Sequence, residues 1–215
     1  MNHIRTSFTF LAAIMLLTGI AQAKPLKVFI LAGQSNMQGH ATISTLEHLS
    51  LDPANQALLD KIQDKSGEAK VYDKVHIAYL SGSGGKDNYK PNERKGALTT
   101  GFGARDSKIG PELTFGITMY EKLKEPILII KTAWGGKSLN TDFRSPGAGE
   151  NPLADRRDST GFFYRQMVDY VQKVLADPGQ YNPNYKASEG YEIAGFVWFQ
   201  GFNDVVNNKA YPPND

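Results

Sequence analysis

No cysteine occurs anywhere in the 215-residue chain, and only four histidines do. The first absence excludes disulfides, cysteine metal sites, thiol chemistry and a lipid anchor on an N-terminal cysteine. An excess of one charge is lacking too: 24 Lys and Arg stand against 22 Asp and Glu, a formal net charge of +2. One of the positive charges, Arg5, falls in a segment expected to be removed. The mature chain is then close to neutral, and neither a nucleic-acid nor an acidic-membrane partner is expected. The apolar stretch near the start, Phe8 to Ile20, is shorter than the ~20 residues a spanning helix needs. It leads into Ala21-Gln22-Ala23 and then Lys24-Pro25. That pattern reads as a secretory signal, residues 1–23, cleaved after Ala23. The protein is therefore expected to be exported, periplasmic or secreted, with no membrane association after cleavage.

What is present is ordinary globular material, 40% hydrophobic and 21% charged, enough for one domain over residues 24–215. Four β-type runs stand out: Leu26 to Ala32, Val75 to Leu80, Pro126 to Thr132 and Ala194 to Gln200. Three are nearly continuous in Val, Ile, Leu and Phe, as strands covered on both faces are. Helix-like segments lie between them at Ala54 to Gln63, Glu112 to Lys124 and Phe162 to Ala176. Alternating strands and helices predict an α/β fold whose parallel sheet is sandwiched by helices. In such folds chemistry sits beyond the carboxyl ends of the strands. The segment Ser81 to Glu112, rich in Gly, Lys and Asn, follows one of those ends and is expected to be a long substrate-lining loop.

Three strand ends run into unusual sequence. The first, Gly33-Gln34-Ser35-Asn36-Met37, has the makings of a strand-to-helix turn that exposes a nucleophilic serine, with Gly33 relieving crowding. Met37 breaks the familiar G-x-S-x-G elbow, and Ser35 reads equally well as a helix N-cap. The second is Trp134-Gly135-Gly136-Lys137-Ser138, whose tail resembles a phosphate-binding loop. That loop also requires glycine at position 131, which is Lys131, so bare backbone amides or a simple tight turn remain. The third is Gln200-Gly201-Phe202-Asn203-Asp204, in which an amide side chain is a plausible donor to an oxyanion and a plain turn is the alternative.

In this order the three blocks resemble the SGNH hydrolase superfamily, in the branch of sialate O-acetylesterases and acetylxylan esterases. The resemblance implies a three-layer α/β/α sandwich with a mainly parallel, flavodoxin-like sheet. It implies a carbohydrate O-acetylesterase acting on acetylated sugars without metal or organic cofactor. Ser35 would be the nucleophile, and the N–H groups of Ser35 and of Gly135 or Gly136, with the Asn203 side chain, would form the oxyanion hole. Gln34, Gln200, Asp204 and Trp134 border the blocks and are candidate substrate contacts. Many members of this branch carry a glutamate where this chain has Phe202. A non-catalytic sugar-binding protein is the rival reading, with Trp134, Phe143, Trp198 and Phe202 as stacking surfaces.

The general base is not evident. His3 belongs to the signal, His48 carries no motif, and His76 lies inside a strand. On a helix begun at Ser35, His40 would sit about 500° further round, pointing roughly 140° away from the serine. The resemblance implies an Asp-x-x-His element after a further strand and helix, so residues 1–215 are expected to be the N-terminal part of a longer protein. Loss of a triad histidine costs about 10⁶ in turnover, so this stretch alone is expected to be nearly inactive.

Overall fold

Eight residues with almost no polar side chain form β1 (Leu26–Gly33), and seven of the eight are buried. The computed structural model describes residues 24–151 and 160–206; the expected signal segment lies outside them. After β1 come a single turn of helix, α1 (Ser35–Gln38), the short β2 (Ala41–Thr42), a 3₁₀ stretch and α2 (Gln56–Ile62). A hairpin of β3 (Tyr72–Ser83) and β4 (Lys90–Leu98) follows, then β5 (Lys108–Ile109), α3 (Pro111–Leu123) and β6 (Ile127–Ala133). The last elements are α4 (Phe162–Ala176), β7 (Tyr191–Phe199) and the one-turn α5 (Phe202–Val205).

The main sheet runs β4-β3-β6-β1-β7, and a separate ribbon pairs β2 with β5. All neighbours in the main sheet are parallel except β4, which returns antiparallel along β3. On one face Val28, Ile30, Ala32, Leu128 and Ile130 pack against Phe163, Met167, Tyr170 and Val174 of α4. On the other, Phe29, Leu31, Ile77, Ile127 and Ile129 meet Leu113 and Ile117 of α3 and Ile62 of α2. Two apolar layers on a doubly covered sheet make the α/β/α sandwich.

Two expectations change. The parallel strands, numbered by their order in the chain, lie second, third, first, fourth across the sheet. A flavodoxin order would be second, first, third, fourth. Here β1 is flanked by β6 and β7, so the three motif-bearing ends are immediate neighbours. The second change is at Ser81 to Glu112, which holds β4 and β5 as well as loops. Lys90, Pro91, Asn92, Glu93, Arg94 and Lys95 disguise β4 because an edge strand tolerates charge and proline where a central one does not.

Candidate active site

Register decides the geometry. Gly33 stands opposite Ala133 of β6 and Phe199 of β7. Ser35, Gly135 and Gly201 therefore each lie two residues beyond one common level, on strands ~4.8 Å apart. Gly33 has φ 158°, and a Cβ there would fall 2.2 Å from the Phe199 carbonyl oxygen and 2.9 Å from the Met37 Cβ. Only glycine permits so tight an entry into α1.

Ser35 is the first residue of α1, not its cap; the cap position is Gln34, which makes no side-chain capping bond. The half-buried Ser35 hydroxyl donates to Gln34 Oε1 at 3.1 Å. Gln34 is itself buried, so it backs the serine from within the protein. Beyond β6, Gly135 and Gly136 are exposed. A Cβ on Gly135 would lie 4.0 Å from the Ser35 Cβ and 3.0 Å from Gln38 Oε1, which brings this backbone directly beside the serine.

The β7 end is tied to the same turn by side chains. Gln200 Nε2 donates to the Lys137 carbonyl at 2.7 Å, while its buried Oε1 has no partner among the described residues. The buried Asp204 carboxylate accepts the Leu139 N–H at 2.8 Å and the Asn140 N–H at 2.7 Å. Asp204 thus holds the two loops together with both oxygens engaged. Asn203, half-buried on α5, is carried by that clamp.

Trp134 is not a stacking surface. It is buried, donates from Nε1 to the Tyr89 hydroxyl at 3.0 Å, and packs against Phe143 and Phe163. Phe143 is buried too, whereas Phe202 is exposed and Trp198 stacks on Phe196.

None of the described histidines is bonded to Ser35. α1 ends at Gln38, where Gly39 turns with φ 86°, so the continuous-helix placement of His40 does not apply. The exposed His40 instead has Nε2 3.2 Å from Gln38 Oε1. His48 is exposed in the 3₁₀ stretch. His76 pairs with Leu128, five positions back from Ala133. That is about 16 Å from the carboxyl edge. Burial pushes its pKa down, and its Nδ1 lacks a partner among the described residues.

Sequence reasoning missed what lies beneath α1. Lys131 and Glu112 form a fully buried pair, Nζ to Oε2 at 2.5 Å. A lysine in an otherwise apolar, doubly covered strand was the available signal, since a buried ammonium demands a partner.

A polar cavity of about 340 Å³ adjoins the site through Gln38 and is lined further by Ser81, Ser83, Lys90 and Asn92. A larger, mainly apolar cavity of about 480 Å³ lies where α4 and β7 meet the loop after β6; Leu139 and Asn140, whose N–H groups Asp204 holds, line it with Phe143, Met167, Phe196 and Trp198, and Ser35, Gly135 and Asn203 do not. Among the described residues no group of three His, Cys, Asp or Glu could hold a metal, and no helix is long and apolar enough to cross a membrane.

A carbohydrate esterase family described as sialic acid-specific acetylesterase (SASA) matches residues 25–214. The chain belongs to this family. No curated protein matches the sequence. Among solved structures, it is similar to a protein from Arabidopsis thaliana at 20% identity and a TM-score of 0.48, covering 87% of this chain and 62% of that one. It is also similar to a carbohydrate acetylesterase from Xanthomonas citri at 15% identity and a TM-score of 0.43, covering 84% of this chain and 33% of that one. The chain thus spans less than two thirds of the length of either.

Proposed function

We propose that this carbohydrate esterase removes O-acetyl groups from sugars by acyl transfer to Ser35. The observation that carries the reading is that Ser35, Gly135 and Gly201 each lie two residues beyond the level at which Gly33, Ala133 and Phe199 pair, at the ends of three adjacent parallel strands. Ser35 Oγ attacks the acetyl carbonyl and gives its proton to a base. The oxyanion is held by the N–H of Ser35, an N–H of Gly135 or Gly136, and the Asn203 amide. The sugar oxygen leaves with the proton, and water then releases acetate from the acyl-serine. Since none of His40, His48 and His76 is bonded to Ser35, the base is assigned to a histidine outside residues 24–206; the apolar run before Ala21-Gln22-Ala23 supports an exported compartment.

The polar cavity beside Gln38 suits sugar hydroxyls, and Lys90 there offers a charge to a carboxylate, which favours an acetylated sialic acid over acetylated xylan. Comparing hydrolysis of the two by the full-length protein checks that preference. Ser35→Ala in the full-length protein tests the mechanism itself: acetate release should vanish, and undiminished release would overturn it. A sugar-binding role without hydrolysis is the reading that the Ser35 to Gln34 hydrogen bond favours. Under it, acetylated sugar binds and no acetate appears.

A further inference from the structure

α1 is a single turn, too short to hold its shape unaided, and its last carbonyls need partners from outside the helix. One of them, on Gln38, accepts from Lys131 Nζ at 3.0 Å. The other two protons of that ammonium go to the Phe102 carbonyl at 2.9 Å and to Glu112 Oε2. Three donors thus meet three acceptors, and the side chain is entirely removed from water. Glu112 is fixed in turn, since its Oε1 accepts the Gly110 N–H at 2.9 Å at the start of α3. The Tyr79 ring lies under the ammonium, its centroid 4.4 Å away.

Lys131 also belongs to β6, four residues before Gly135. The strand that delivers an oxyanion donor therefore grips the helix that delivers the nucleophile. We propose that Lys131, held by Glu112, is a positioning residue that fixes Ser35 relative to Gly135 through the Gln38 carbonyl. The pair is retained for this although it is costly: buried ion pairs replaced by apolar side chains of similar volume often leave stability unchanged or raised. A small displacement of a nucleophile from its oxyanion donor, by contrast, can cost about 10²-fold in rate.

The test uses the full-length protein with Lys131→Met and Glu112→Leu combined, which removes both charges and keeps apolar volume. Its melting temperature should equal or exceed that of the parent. Amide hydrogen exchange over residues 33–39 should quicken by about tenfold or more while residues 26–32 and 127–132 keep their protection. kcat on an acetylated sugar should fall by about tenfold or more with KM within about threefold. Glu112→Gln, which leaves an acceptor for Lys131, should keep exchange over residues 33–39 near the parent's. Unchanged exchange there in the folded double variant would overturn the proposal, and so would uniform loss of protection with a lowered melting temperature. If the double variant does not fold, Lys131→Gln with Glu112→Gln takes its place. That pair keeps an amide hydrogen bond but is too short to reach Gln38, and the same two outcomes decide. The kinetic arm rests on Ser35 being the nucleophile and the exchange arm does not, so failure of the functional reading remains distinct from failure of this one.

Discussion

On its β6 side the turn that carries Ser35 is bonded into the core; on its β7 side it has one backbone bond, from the Gln34 N–H to the Phe199 carbonyl at 3.4 Å, and the motif beyond hangs from loops. β6 is buried along its whole length, and Lys131 and the Trp134 N–H, which donates to the Gly33 carbonyl at 3.3 Å, stitch it to the turn. Among the described residues β7 ends the sheet, with Ile193 52% and Phe196 54% exposed. The third motif is held by Gln200 and Asp204 bonding to the turn after β6. Of the two proposed oxyanion donors, the exposed Gly135 follows a buried strand, and Asn203 is placed by polar side chains. The strand behind the first is rigid because displacing it would open the core, and the second is only as fixed as a few hydrogen bonds.

The sharpest break in that comparison is at the residue both sides serve. Ser35→Ala in the full-length protein should lower kcat by about 10⁶, measured as acetate release. Next comes the donor on the β7 side: Asn203→Ala should cost about 10² to 10³ in kcat with little change in melting temperature. Asp204→Ala strips two backbone amides of a charged acceptor and should lower stability by roughly 2–3 kcal/mol in urea unfolding, with activity falling as Asn203 loosens.

The β6 side has a pH signature. Burial, opposed by Glu112, pushes the Lys131 pKa down from 10.5 to about 8. Glu112 of α3, Arg94 of β4 and Tyr79 of β3 face it. With the folded value below the unfolded one, the unfolded chain binds more protons between pH 8 and 10.5. This group's contribution to stability therefore rises with pH through that window and is lost as pH falls through 8. Urea midpoints across the window should show a rise that the Lys131→Met, Glu112→Leu variant lacks. The smallest effect belongs to the far edge of the sheet. Lys173 bonds Glu93 at 2.7 Å with both side chains partly exposed, so Lys173→Ala should change stability by less than about 1 kcal/mol.

Much of this was legible in the residues. α4 spans Phe162–Ala176, as its periodic Phe163, Met167, Tyr170, Val171 and Val174 predict, although Val171 is only half-buried, and the four apolar runs are the four parallel strands. The edge strand β4 was not, because the rules that identify buried strands count against its lysines and proline. Trp134 illustrates the reverse error: beside a motif it reads as a sugar platform, yet its indole N–H finds Tyr89 within the core. The roles of Asp204 and Gln200 were hidden for another reason. Their partners lie more than sixty residues away, and turn residues look alike whether they bind a ligand or a loop.

By itself the sequence determined the layers and the family, because both follow from local patterns: continuous apolar runs, a helical period and three short blocks in order. Only the tertiary structure decided that β1 lies between β6 and β7, that Lys131 grips the end of α1, and which polar residues face inward. Those are choices of pairing between distant segments, and short-range pattern carries no record of which buried strand end will meet which.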